Sequence, residues 1–208
     1  MGTFSKRTAI LATALLLLAT AGLSAAGTQE PADALDAPQT LLPLDENIVY
    51  GEFANGITYY IRENPEPRNR ASLRLVVDAG SVLETDEQLG LAHFAEHMAF
   101  NGTEDFAGNE IISFLESLGM RFGPDLNAYT SFDETVYILE VPTDDEEKMQ
   151  SGFHVLEQWA TSISFDPEEV DAERGVILEE WRVGRGASAR MRDQHLPVIF
   201  RGSRYARS

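Results

Sequence analysis

Residues 90–102 read GLAHFAEHMAFNG, and the rest of the chain is best read outward from this stretch. His93 and His97 are four apart, so on a helix they share one face, one turn from each other. Glu96 is three residues from His93 and one from His97, which puts its carboxylate beside that face. Two imidazoles with an adjacent carboxylate suit a hydrolytic zinc site. The histidines hold the ion, and the glutamate takes the proton of the water that attacks a carbonyl. The order His-x-x-Glu-His inverts the better-known His-Glu-x-x-His. The chain contains no cysteine, so any metal must be held by His, Asp or Glu. The plainer alternative is a helix of ordinary packed or surface histidines. A third ligand on another rigid element distinguishes the two.

The surroundings predict a mixture of strands and helices. Asn101-Gly102 ends the motif helix, expected over about 88–100. Upstream, ASLRLVVDAG (71–80) alternates Leu73, Leu75 and Val77 onto one face of a strand. Before it, NIVYGEFANGITYYIREN (47–64) carries two β-rich runs around Asn55-Gly56, a hairpin signal. Downstream, a helix is expected over about 108–118, stopping at Gly119. NAYTSFDETVYILEV (127–141) then gives two strands around Phe132-Asp133. A third helix is expected from Thr143 to about Ser162, with acidic residues in its first turn. A fourth opens at Asp166 as N-cap, with Pro167 in the first helical position and Glu169 completing a capping-box pattern, and runs to about Val183. The arginine-rich sequence after Gly184 carries no clear element. No repeat is visible, and strands do not alternate strictly with helices. The fold class is therefore α+β, a mixed or antiparallel sheet packed with helices.

The fourth helix offers Glu173, Glu179 and Glu180 as third ligand. Glu173 and Glu180 are seven apart, two turns on one face, while Glu179 is rotated away by about 100°. Val176 and Ile177 lie between them, so that face is expected to be buried, where a carboxylate is costly unless paired or ligating. Helical spacing leaves Glu173 and Glu180 both open. His154 reads as a helix-packing residue, and His195 as a loop or interface residue.

Taken together, GLAHFAEHMAFNGT (90–103), NAYTSFDETVY (127–137) and ERGVILEEWR (173–182) resemble the insulinase/pitrilysin family of zinc metallopeptidases, the inverzincins. The resemblance spans roughly residues 45–205, most of the family's N-terminal catalytic domain, and is strongest toward bacterial exported members. It implies a Zn²⁺ cofactor held by His93, His97 and Glu180, with Glu96 as general base. Glu173 then matches the family's second acidic residue, which supports the site. Asn127 and Ala128 fall on a strand-edge motif where an extended substrate adds as a β-strand. Family members enclose substrate between this half and a related second half. The sequence ends at Ser208 without an equivalent, so a longer chain or a partner subunit is expected.

The first 26 residues read as a signal peptide: Lys6 and Arg7, an apolar run from Ala9 to Leu23, and small residues at Ser24-Ala25-Ala26. The run is shorter than the roughly 20 residues a spanning helix needs, so no stable membrane insertion is expected after cleavage. Residues 27–46 read as a flexible lead-in and 47–208 as one catalytic domain. Export without disulfides suits the periplasm. The net charge is −18, distributed unevenly. Residues 181–208 hold seven arginines and one aspartate, net +6, and residues 27–180 are at −26. Such an acidic body repels nucleic acid. The leading reading is a zinc endopeptidase acting on peptides or unfolded segments. The alternatives are a non-catalytic partner subunit of the same fold, a fragment that binds zinc but is inactive alone, and a metal-sequestering protein. With four histidines in all, the chain has no His-rich tract of the sequestering type.

Overall fold

The computed structural model describes residues 43–207. The expected signal peptide, and residues 27–42 of the lead-in, lie outside them. The chain divides after Arg62 into two units. The first holds the hairpin of β1 (Ile48–Glu52) and β2 (Thr58–Arg62). Ile48 pairs with Arg62 and Glu52 with Thr58. Gly56 in the turn takes φ +89°, a value open to glycine and strained for other residues.

The second unit holds, in chain order, β3 (Arg70–Val77), α1 (Leu91–Met98), α2 (Glu110–Ser117), β4 (Leu126–Thr130), β5 (Thr135–Pro142), α3 (Glu146–Thr161), α4 (Pro167–Gly184) and α5 (Ala187–Ile199). β5 is the centre of a three-stranded antiparallel sheet in the order β3-β5-β4. Its Val136, Tyr137, Leu139 and Val141 are buried. Tyr137, Leu139 and Val141 form one core with Ala99, with Ile111 and Leu115 of α2, and with Val155 and Trp159 of α3. The arrangement is α+β, as the mixed pattern of strands and helices predicts.

The Asp166 cap is the one the sequence marks, whereas α3 begins at Glu146 behind an Asp145 cap and not at Thr143. Asp145 accepts the Glu147 N–H at the start of α3, and Asp166 accepts the N–H groups of Glu168 and Glu169 at the start of α4. Among the described hydrogen bonds, Glu169 makes no return bond to Asp166, so the capping-box pattern is half realised. Three other expectations change. Val77 is exposed at 38%, because β3 runs past the core and only Leu73 and Leu75 face it. No residue of α4 is fully buried: Glu173 and Ile177 are half-buried, while Val176 and Glu180 are exposed. The buried face expected there is absent: α4 packs along α1, and its Val176, Leu178, Trp181 and Val183 stay exposed. Finally, the arginine-rich tail forms α5, which carries the exposed His195 on a helix rather than in a loop.

Candidate metal centre

The motif helix α1 is short, and its N-terminus is secured from outside. Gly90 occupies the N-cap position with φ +91° and has no side chain to cap with. Glu84, 7% exposed, does this instead, accepting from the N–H of Gly90 at 2.8 Å and of Ala92 at 2.7 Å. A carboxylate there also complements the positive end of the helix dipole. At the other end, the Trp159 indole donates to the Ala99 carbonyl at 2.9 Å, tying α1 to α3. α1 lies against β4 and α4.

This packing brings His93, His97 and Glu180 together. Their Nε2, Nε2 and Oε2 atoms are 3.1, 3.5 and 3.7 Å apart. His, His and Glu atoms at about 2.0–2.2 Å from a tetrahedral zinc would lie roughly 3.3–3.6 Å from one another. The donor set fits the ion in type and in spacing. Among the described residues it is the one group of three or more His, Asp or Glu side chains so arranged.

Glu173 is placed differently. Its Oε1 lies 2.7 Å from His97 Nδ1, and its Oε2 accepts from the Asn101 amide at 2.6 Å. A carboxylate beside Nδ1 favours the tautomer with hydrogen on that nitrogen, leaving the Nε2 lone pair toward His93 and Glu180. The two glutamates that helical spacing could not separate thus meet opposite sides of the His97 ring. Glu96 is 8% exposed, and its Oε2 accepts from the Thr130 hydroxyl at 2.7 Å. Beside it, Tyr137 is 4% exposed, and burial, with a smaller contribution from the Glu96 charge, pushes its phenol pKa up to about 12.

A cavity of about 430 Å³ opens here, lined among others by His93, Glu96, His97, Asn127, Ala128, Glu173 and Glu180. Asn127 and Ala128 lie on β4, an outer strand of the three-stranded sheet, and the Asn127 side chain accepts the Ala128 N–H at 2.9 Å. His154 and His195 are not part of the group. His154 is half-buried on α3, with its ring 5.8 Å from that of Phe106 and its Nε2 3.0 Å from Asp105 Oδ2. The sequence reading gives Glu84, Asn101 and Thr130 no role at the metal site. Each meets its partner through the fold, so no local spacing announces it.

A family model described as "Insulinase (Peptidase family M16)" matches residues 59–205. The chain is similar to a Haemophilus influenzae protein named "Probable zinc protease PqqL", 43% identical over 169 residues, covering 81% of this chain and 18% of that protein. The Escherichia coli protein of the same name is 43% identical over 163 residues, covering 78% of this chain and 18% of that one. The solved first half of the periplasmic protease PqqL from Escherichia coli superposes with a TM-score of 0.77 at 42% identity. It covers 80% of this chain and 36% of that structure. The chain therefore spans about a fifth of the length of the curated relatives it matches.

Proposed function

Because the chain belongs to the insulinase family of peptidases (M16), we propose that it carries the metal centre of an exported zinc endopeptidase that cleaves peptides or unfolded segments. The observation that carries this reading is the convergence of His93, His97 and Glu180 within 4.8 Å of one another, with Glu96 on the same helix as both histidines. Zinc bound there would polarise the scissile carbonyl and make an attacking water more acidic. His93, His97 and Glu180 hold the ion. Glu96 takes the proton of the attacking water and passes it to the departing amine. Glu173 keeps the His97 ring turned and its Nδ1 hydrogen in place, and Asn101 holds Glu173. The outer strand β4 offers Asn127 and Ala128 to an extended substrate, whose carbonyl displaces the Asn127 amide oxygen from the Ala128 N–H.

Export to the periplasm fits the sequence of residues 1–26 and the periplasmic relative. Among the described residues no helix is long and apolar enough to cross a membrane. A peptide chamber needs more surface than this chain supplies, so a second half or partner subunit belongs to the working enzyme. The test is Glu96→Gln in the complete protein. Zinc content stays at wild type while cleavage of a quenched fluorescent peptide falls to background. Wild-type cleavage that survives both this substitution and a chelator overturns the reading.

A further inference from the structure

We propose that Thr130 is a positioning residue for Glu96, fixing one carboxylate oxygen so that the other carries the proton. The proposal rests on the peptidase reading for its catalytic consequence and on hydrogen-bond geometry for the placement itself. Thr130 is the last residue of β4, 34 positions from Glu96, and its hydroxyl reaches Glu96 Oε2 at 2.7 Å. The direction of that bond is decided by the next residue in the chain of contacts. Thr135 stands opposite Thr130 in the β4–β5 pairing, with its Oγ1 3.3 Å from that of Thr130. The Thr135 hydroxyl has one hydrogen, and it points to the Ala79 carbonyl at 2.9 Å. Thr135 therefore has no hydrogen to give Thr130 and can only accept. Thr130 is left as a donor with two acceptors in reach, and the nearer one is a carboxylate. A hydroxyl–carboxylate bond is charge-assisted and roughly twice as strong as a neutral one.

The consequence is an asymmetric carboxylate. Oε2 is engaged by the sheet, and among the described residues no hydrogen bond reaches Oε1. In the general-base step the O–H bond of water breaks as an O–H bond to Oε1 forms, and that proton then goes to the departing amine nitrogen. Because β4 also carries Asn127 and Ala128, the strand that orders the proposed substrate edge also aims the base.

The experiment compares Thr130→Val and Thr130→Ser with wild type in the complete zinc-loaded protein. Three quantities are read: zinc content, the kcat and KM for a peptide, and the Glu96 side-chain position in crystal structures. Damage to β4 would raise KM, because the strand holds substrate. Loss of aim lowers kcat alone. The expected result for Thr130→Val is unchanged zinc, KM within about twofold, kcat down roughly 10- to 100-fold, and a turned or disordered Glu96 carboxylate. Thr130→Ser restores kcat and the carboxylate position. Should valine fail to fold, Thr130→Ala supplies the hydroxyl-free variant. A Glu96 carboxylate unmoved in the hydroxyl-free variant overturns the proposal, as does an unchanged kcat. A wild-type protein that cleaves nothing overturns the peptidase reading instead, and the crystal structures still decide where Thr130 holds Glu96.

Discussion

At His97 the two ring nitrogens face different carboxylates, and this separates residues the sequence could only pair. The spacings that make His93, Glu96, His97, Glu173 and Glu180 legible are all helical, set by a backbone repeat that sequence displays directly. The contacts of Thr130 with Glu96 and of Glu84 with the start of α1 join separate elements and leave no local pattern. The ring geometry makes a prediction. Glu180→Gln loses zinc, while Glu173→Gln keeps it with affinity lowered about 10- to 100-fold, measured by chelator competition. The reverse pattern would exchange their roles. Tyr137 gives a second prediction, on stability. Its folded-state pKa of about 12 lies above the ordinary value of 10. The unfolded chain therefore releases this proton first. The stability linked to it is whole below pH 10, then falls by about 1.4 kcal/mol per pH unit up to pH 12. Tyr137→Phe flattens that slope in denaturant titrations on either side of the window.

Elements were legible where caps or turn residues mark their ends. The hairpin at Asn55-Gly56 and the Asp166-Pro167 start of α4 are of this kind. α5 was missed because Pro197 sits inside it and glycines at 184 and 186 precede it, so neither propensity nor pattern favours a helix there. The expected apolar face of α4 failed for a different reason: two apolar residues between two glutamates do not reveal which neighbours will cover them. Two helix glycines show where packing overrides propensity and where it does not. A Cβ at Gly152 of α3 would lie 2.9 Å from Val141 Cγ2 and 3.2 Å from Leu73 Cδ1. The helix can sit that close to the sheet only with glycine. Gly175 of α4 has nothing within 4 Å of the same position. Gly152→Val should destabilise by about 1–3 kcal/mol through overpacking. Gly175→Ala should stabilise by up to about 1 kcal/mol through helix propensity. Thermal or urea unfolding reads both, and the opposite signs are the expectation.

For the molecule as a whole, charge and apolar exposure are uneven in the same region. The last 28 residues carry the net positive charge. Leu178, Trp181, Val183, Val198 and Ile199 of α4 and α5 are all more than 60% exposed. Residues 27–208 alone are therefore expected to bind zinc and to cleave peptides weakly or not at all. Metal analysis and a fluorogenic peptide assay on that purified stretch check this, and strong chelator-sensitive cleavage would contradict it. The Glu84 cap on α1 bears on a later moment in the protein's life. With the histidine-bearing helix fastened at one end by Glu84 and at the other by Trp159, its shape does not wait for the ion. The expected order is folding first and loading second. The metal-free protein is therefore expected to stay folded, and chelation should leave its circular dichroism unchanged while lowering its melting temperature only by the lost binding energy.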